Sequence, residues 1–278
     1  MAIRDTAFIR TRDGTRLYVK DWGTGRPVVL IHGWPLDADM WEHQMPALAE
    51  AGYRVVAYDR RGFGRSDQPW TGYDYDTFAD DLKAVLDGLD LQDVALVGFS
   101  MGGGEIARYM SRHAGARVTK AVLVSAVTPY MLKSGDNPDG VEGGVFQGMI
   151  DGLRKDRPAF LANFAKTFFG AGVFHSPVST ETMTWAGNLA MLASPKATTA
   201  CVTAFGTTDF RGDMAHFQVP TLVIHGDDDQ TVPIDVSGKV AAAAIPGATL
   251  VVYEGAPHAV PFTHAERLNA DLLAFLKG

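Results

Sequence analysis

The chain has 278 residues, of which 46% are hydrophobic and 21% charged, so it is long enough to bury the core of one large globular domain. Its net charge of -7 gives no electrostatic attraction to nucleic acids or anionic membranes, which argues against both as partners. The opening residues, MAIRDTAFIR, carry charges where a signal peptide needs an apolar core, and no later apolar stretch reaches the ~20 residues of a membrane span. We therefore expect a cytoplasmic protein.

Strand and helix patterns alternate along the first 128 residues. In chain order they predict a hairpin in FIRTRDGTRLYVKDW that turns at Asp13-Gly14, a strand in RPVVLIHG, a helix in DADMWEHQMPALAEAG that ends on Gly52, a strand in YRVVAYD, a helix in DTFADDLKAVLDGLDL, and strands in DVALVGF and KAVLVSAV. Several of these strands are almost continuously apolar, as in sheets buried on both faces. The alternation predicts an α/β fold with a mostly parallel sheet.

The alternation stops at Pro129 and resumes with the strands PTLVIHG and ATLVVYEG and the final helix HAERLNADLLAFLKG. The segment between is rich in Gly, Phe and Met, and it contains helical patches such as RPAFLANFAKTFFG. An irregular connection of this length would be unusual in a compact domain. We therefore predict a helical cap, residues 129–213, inserted into a core of residues 1–128 and 214–278.

A single cysteine, Cys201, leaves no partner for an intrachain disulfide and excludes cysteine-rich metal sites. Its neighbours in TTACVTAF include no base that would activate a thiol, so we interpret Cys201 as a small buried hydrophobic residue. The sequence has no Rossmann fingerprint, phosphate loop or cysteine–histidine cluster, and we predict neither a cofactor nor a metal.

The pattern GxSxG, from Gly98 to Gly102, falls between a buried strand and a helix that we predict from Glu105 onward. A serine in such a strained turn needs very small neighbours two positions away on either side, which explains the two glycines. The turn lifts the hydroxyl above the sheet, where the N–H groups of the helix N-terminus stabilise developing negative charge. We therefore predict Ser100 as a nucleophile rather than a helix cap.

A serine nucleophile needs a histidine base and an orienting carboxylate. His258 follows the last strand, in the loop YEGAPHAV, where a catalytic base is expected. The other histidines lie on predicted helices (His43, His113, His264), in HG turns (His32, His225) or in the cap (His175, His216). Position therefore favours His258.

Three adjacent acids, Asp227, Asp228 and Asp229, follow the strand that ends in HG. They lack the alternate spacing and the glycine of a calcium loop, so we do not predict a metal site. Asp227 and Asp228 are explained more simply as turn formers. The pattern alone leaves the choice of the carboxylate open.

The sequence resembles the α/β-hydrolase fold family, and within it the bacterial arylesterases and cofactor-free haloperoxidases, over essentially its whole length. The motifs that carry the resemblance are VVLIHGWPLDADMWEHQM, YDRRGFGRSDQPW, LVGFSMGGGEIARY, LVIHGDDDQTVPID and YEGAPHAVPFTHAERLNADLLAFL. It implies an eight-stranded sheet with an antiparallel second strand, Asp229 as the acid and His258 as the base. It also implies an oxyanion hole formed by the backbone N–H groups of Trp34 and Met101. Members of the family often assemble as trimers or larger rings.

Motifs and resemblance together predict a serine hydrolase that cleaves small carboxylic and aryl esters through an acyl-enzyme. In the haloperoxidases that it resembles, peroxide attacks the acyl-enzyme instead of water, so we also expect perhydrolase activity. Lactone or lactam cleavage by the same fold stays open as an alternative. A non-catalytic binding protein of this fold is a further alternative, but such a protein would have no need to retain all three triad residues.

The substrate pocket is expected where the core loops meet aromatic residues of the cap. The candidates are Trp34, Pro35, Val127, Thr231 and Ile234 from the core, and Phe146, Phe160, Phe164, Phe168 and Trp185 from the cap. Pro35 restricts the backbone of Trp34, so it is either a turn residue or a means of directing the Trp34 carbonyl at a peroxide.

Overall fold

A single eight-stranded sheet organises the computed structural model, which describes residues 7–172 and 175–278. The strands are β1 (Phe8–Arg10), β2 (Arg16–Trp22), β3 (Pro27–Ile31), β4 (Arg54–Tyr58), β5 (Val94–Phe99), β6 (Val118–Val124), β7 (Thr221–Gly226) and β8 (Thr249–Tyr253). Their spatial order is β1-β2-β4-β3-β5-β6-β7-β8, with β2 antiparallel to both its neighbours and the pairs from β4 to β8 parallel. The predicted mostly parallel sheet with an antiparallel second strand is confirmed. Residues 1–6, on which part of the signal-peptide argument depends, lie outside the described residues.

Helices connect and flank the strands. They are α1 (Gln44–Glu50), α2 (Tyr75–Gly88), α3 (Met101–Arg112), α4 (Gly143–Phe169), α5 (Thr180–Leu192), α6 (Pro195–Thr207), α7 (Gly238–Ala244), α8 (Val260–Thr263) and α9 (Ala265–Lys277). Within residues 7–172 and 175–278, none of the helices combines the length and the apolarity that crossing a bilayer requires.

The helix expected in DADMWEHQMPALAEAG is divided into a 3-10 turn, Ala38–Trp41, and α1. Pro46 explains the break, because proline has no N–H to donate to the preceding turn and is tolerated only near the start of a helix. Asp37 caps the 3-10 turn by accepting a hydrogen bond from the backbone N–H of Asp39. Gly52 follows α1 with a φ of 89°, which favours glycine, so the predicted end of the segment is confirmed.

Three helices, α4 to α6, fill the interval between β6 and β7, where the alternation of patterns stops. Helix α4 bends at Asp156, two residues before Pro158, and the Asp156 carboxylate accepts a hydrogen bond from the N–H of Ala159. The interval begins and ends at one place, because the N–H of Phe210 donates to the carbonyl of Pro129 at 2.8 Å. Closely spaced ends are what an insertion into a continuous core requires, although the exact division at residues 129 and 213 stays a prediction.

Cys201 lies on α6 with no exposed surface, as its interpretation as a small hydrophobic residue requires. Burial raises the pKa of its thiol to about 12. The thiolate that a nucleophile or metal ligand needs is therefore disfavoured at this position.

Candidate active site

Ser100 occupies a sharp turn between β5 and α3 and is only 5% exposed. Its backbone angles, φ 53° and ψ -117°, lie in a region that residues with side chains rarely adopt. A Cβ at Gly98 would lie 2.6 Å from the carbonyl oxygen of Gly102, and a Cβ at Gly102 would collide with the carbonyl of Ile31. The two glycines are therefore required by close backbone packing around the turn.

Three loops bring Ser100, His258 and Asp229 into one hydrogen-bonded chain. The Nε2 atom of His258 lies 3.0 Å from the Ser100 Oγ, and the Nδ1 atom lies 2.6 Å from the Asp229 Oδ2. Because a carboxylate only accepts, Nδ1 carries the proton and Nε2 is left to accept the proton of the serine hydroxyl. All three residues are buried, and they follow β5, β7 and β8 at the carboxyl edge of the sheet. This geometry suits nucleophilic attack by Ser100.

The Asp229 carboxylate is held on both oxygens. Its Oδ1 atom accepts backbone hydrogen bonds from Thr231 at 2.9 Å and from Val232 at 2.8 Å. Burial by itself raises the pKa of Asp229, but the favourable electrostatic and polar contacts with His258 and His225 outweigh it and hold the pKa below its ordinary value. Asp229 is therefore ionised at neutral pH, as an orienting carboxylate must be.

The two neighbouring acids point elsewhere. Asp227 is exposed, and its carboxylate accepts a hydrogen bond from the backbone N–H of Gly255 at 2.6 Å. Asp228 is also exposed and accepts a hydrogen bond from the side-chain amide of Gln230 at 3.0 Å. Asp227 thus joins its turn to the loop after β8, a contact between segments that the expectation of a simple turn former did not include.

The loop after β3 approaches the nucleophile directly. A Cβ at Gly33 would stand 3.0 Å from the Cβ of Ser100, so only glycine allows this approach. In the described part of the chain, the backbone N–H groups of Trp34 and Met101 donate to no protein acceptor. The Trp34 indole donates to the carbonyl of Thr198 on α6 at 3.1 Å, which ties the loop to the cap. Two unused donors, one on the loop next to Ser100 and one on the residue that follows it, suit an oxyanion.

A buried ion pair lies beneath this loop, and the sequence reasoning assigned it no role. The Arg60 guanidinium donates to Glu105 at 2.8 Å and to the carbonyl of His32 at 2.9 Å, and the Tyr58 hydroxyl also donates to Glu105. Arg60 and Glu105 have no exposed surface. Because Glu105 is on α3 and His32 precedes Gly33, the pair connects the nucleophile helix to the loop that carries Trp34. The sequence signal for this pair was Glu105, a charged residue among the small and apolar residues that follow Ser100.

An apolar cavity opens over Ser100 and His258, between the core loops and the cap helices. Its lining residues are Trp34, Ser100, Val127, Met131, Val141, Val145, Phe146, Met149, Phe164, Phe205, Thr231, Val232 and His258. The Thr231 hydroxyl is buried with no hydrogen-bond partner among the described residues. The walls are otherwise mainly hydrocarbon and aromatic, which favours an apolar substrate.

The structure places the predicted pocket residues in two groups. Five of them line this cavity: Trp34, Val127, Phe146, Phe164 and Thr231. The others do not: Pro35 and Phe168 line a second, smaller apolar cavity, Phe160 stacks on Phe164, Ile234 is buried in the 3-10 turn Ile234–Val236, and Trp185 packs against Phe262. Phe164 lines both cavities.

Several lining residues escaped the sequence reasoning. Met131, Val141, Val145 and Met149 come from the connection before α4 and from its first turns. Two isolated bridges, Leu132 with Val141 and Ser134 with Asn137, fold this connection back on itself, and no periodic pattern in the sequence predicts such pairings. Aliphatic residues in an irregular segment gave no local signal of their position.

The sheet order, the serine turn and the hydrogen-bonded triad define an α/β hydrolase, and the chain belongs to this family: the family model for the alpha/beta hydrolase fold matches residues 26–265. It is 50% identical to a non-heme chloroperoxidase of Kitasatospora aureofaciens, over 96% of this chain and 98% of the relative. It is 42% identical to a bifunctional esterase/perhydrolase of Acinetobacter calcoaceticus, over 97% and 99%. The crystal structure of a bromoperoxidase from Bacillus anthracis superposes with a TM-score of 0.94 at 50% identity, covering 98% of this chain and 99% of that one. The resemblance to the esterase and haloperoxidase branch is confirmed.

Proposed function

We propose that this chain is a serine hydrolase that cleaves small carboxylic and aryl esters and also transfers the acyl group to hydrogen peroxide. The observation that carries the proposal is the chain of hydrogen bonds from Ser100 through His258 to Asp229 at one end of an apolar cavity. Similarity to a protein named esterase/perhydrolase supports both halves of the activity.

In the proposed first half-reaction, His258 accepts the hydroxyl proton while the Ser100 Oγ adds to the ester carbonyl carbon. Asp229 stabilises the resulting imidazolium, and the backbone N–H groups of Trp34 and Met101 donate hydrogen bonds to the oxyanion. His258 then donates its proton to the departing alcohol or phenol, which leaves an acyl-enzyme on Ser100.

The second half-reaction depends on which molecule attacks the acyl-enzyme. Water, activated by His258, adds to the acyl carbon and releases a carboxylic acid. Hydrogen peroxide in place of water releases a peracid, and the peracid oxidises halide in solution. The peroxide supplies the oxidising equivalent, so the protein residues need only bind, orient and transfer protons. This chemistry accounts for chloroperoxidase and perhydrolase names among the relatives.

Covalent labelling tests the proposal. An aryl fluorophosphonate should modify one serine, and peptide mapping should find the adduct on Ser100. An adduct elsewhere, or none, would contradict the mechanism. Rates on aryl esters, lactones and a lactam, measured in parallel, separate esterase activity from cleavage of cyclic substrates. Cytoplasmic location and homo-oligomers of three or more subunits stay predictions.

Short-chain and aryl esters should be hydrolysed faster than long-chain esters. Phe146, Phe164 and Phe205 close the cavity with aromatic rings from the cap, which leaves room for a compact apolar group. The measurement is kcat/KM for p-nitrophenyl esters of increasing acyl length. A rate that rises steadily to long fatty-acyl esters would contradict this prediction.

A matched pair of variants assigns the length limit. Phe164→Ala should extend the acyl length that the enzyme accepts, because the Phe164 ring lines both cavities. Phe160→Ala removes the ring stacked on Phe164, at 6.3 Å between centroids, but Phe160 lines neither cavity. The dependence of kcat/KM on acyl length should therefore change in Phe164→Ala and remain unchanged in Phe160→Ala.

Pro35→Leu should lower perhydrolysis relative to ester hydrolysis. Proline has no N–H and restricts the preceding residue to extended angles, so we propose that Pro35 fixes the direction in which the Trp34 carbonyl can accept a hydrogen bond from peroxide. The measurement is the ratio of peracid formation from acetate and peroxide to hydrolysis of an aryl acetate, in both proteins. An unchanged or higher ratio in the variant would leave Pro35 with a scaffold role only.

A further inference from the structure

His225 is the penultimate residue of β7, four positions before Asp229, and the mechanism above gives it no role. Its side chain has no exposed surface. The Nε2 atom lies 2.8 Å from the carbonyl oxygen of Val232 and 3.3 Å from the Asp229 Oδ2, the oxygen that also accepts from His258. A second imidazole is therefore in contact with the proposed catalytic carboxylate.

The surroundings of the ring fix its tautomer. Both atoms that face Nε2 are acceptors, so Nε2 carries the proton and donates it. Nδ1 is buried and has no hydrogen-bond partner in residues 7–172 and 175–278. A Cβ at Gly238 would come within 2.6 Å of Nδ1, so the backbone of α7 packs directly against the ring. The ring is therefore held by contacts at Nε2 alone, while its Nδ1 side is enclosed by α7.

His225, Val232 and Asp229 form a closed set of contacts. The Val232 carbonyl accepts from His225, the Val232 N–H donates to the Asp229 Oδ1, and the Asp229 Oδ2 contacts His225 again. The turn that carries the carboxylate is thereby fastened to the buried strand β7 at two points. Movement of this turn would displace Oδ2 from the Nδ1 of His258, and with it the Nε2 from the Ser100 Oγ.

We propose that His225 is a positioning residue, which holds the turn of residues 229–232 so that the Asp229 Oδ2 stays in line with the His258 Nδ1. The inference rests on the proposed function, since it needs Asp229 and His258 to act together. Misplacement of a catalytic group by about 1 Å can cost about 10²-fold in rate. Loss of His225 should therefore lower kcat and leave KM little changed, because the side chain lies outside the substrate cavity.

Two amide variants separate the hydrogen bond from the volume of the ring. In His225→Gln the amide nitrogen can occupy the place of Nε2, whereas in His225→Asn it reaches only the place of Nδ1. For p-nitrophenyl acetate we expect kcat to fall about 10- to 100-fold in His225→Asn, with KM within about twofold, and to recover largely in His225→Gln. The downfield proton resonance of the His258 Nδ1–H should weaken or shift in His225→Asn and persist in His225→Gln.

A double-variant cycle completes the test. Adding His225→Asn to Asp229→Asn should cause no further loss of kcat, because the carboxylate to be positioned is gone. Equal losses in the Asn and Gln variants, or a loss that persists in the Asp229→Asn background, would overturn the positioning role. Ser100→Ala is measured alongside: activity in that variant would defeat the proposed function itself, whereas an inactive Ser100→Ala with a fully active His225→Asn would defeat only this inference.

Discussion

Ser100→Ala is expected to lower ester turnover by about four to six orders of magnitude while the fold is retained. The substitution removes the attacking oxygen, and the residual rate comes from the oxyanion donors and the binding cavity. The fold should survive, because the hydroxyl contacts only the ring of His258 among the hydrogen bonds of the described residues. Turnover of an aryl acetate, fluorophosphonate labelling and the thermal unfolding midpoint measure the three parts of this expectation.

Ser125→Ala provides a matched control. Ser125 follows β6, is fully buried and has a φ of 45°, so it shares the burial and the positive φ of Ser100. Its hydroxyl, however, has no hydrogen-bond partner among the described residues, and no histidine activates it. Labelling should persist in Ser125→Ala and vanish in Ser100→Ala. Unchanged labelling or turnover in Ser100→Ala would remove Ser100 from the mechanism.

Asp229→Asn should lower kcat/KM by about 10⁴-fold, because an amide can donate to Nδ1 and turn His258 into the tautomer that cannot accept the serine proton. Asp227→Asn should cost little activity, since the amide oxygen can still accept from the N–H of Gly255. Asp228→Asn should also cost little, since its partner is only the exposed Gln230. Kinetics of the three variants, with unfolding midpoints, decide among the acids.

The result that would reverse this assignment is specific. Near-normal activity in Asp229→Asn together with a loss of several orders of magnitude in Asp228→Asn would place the carboxylate at position 228. Comparable modest losses in all three variants would indicate that the turn contributes through stability alone.

The sheet was predictable because its signals are local. Runs such as VALVGF are apolar throughout, and burial on both faces of a parallel strand requires that composition. The start of α3 was placed at Glu105, whereas the helix begins at Met101. Glycines at 102 to 104 conceal its first turn, since glycine disfavours helices. These positions are glycine because Cβ atoms there would collide with the backbone of Ile31 or with nearby side chains.

The site residues that could be predicted are those that their flanking sequence identifies. Ser100 and His258 could be chosen from their own surroundings in the sequence, but Asp229 was separated from its two neighbours only by resemblance. In the structure, Asp229 is distinguished from Asp227 and Asp228 by its contact with His258, which is 29 positions away in the chain. The pairing of Arg60 with Glu105 and the folding of Val141 over the cavity are likewise non-local. Neither leaves a periodic pattern.

The buried ion pair beneath the oxyanion loop restricts how this chain can diverge. Losing one member of such a pair strands a charge in the interior at a cost of about 3–5 kcal/mol, against a whole stability of about 5–15 kcal/mol. Replacing both members with apolar residues of similar volume is often neutral. Arg60 and Glu105 are 45 positions apart in the chain, yet the burial of each charge depends on the presence of the other. A lineage can therefore leave this arrangement by a paired exchange far more readily than by either single step.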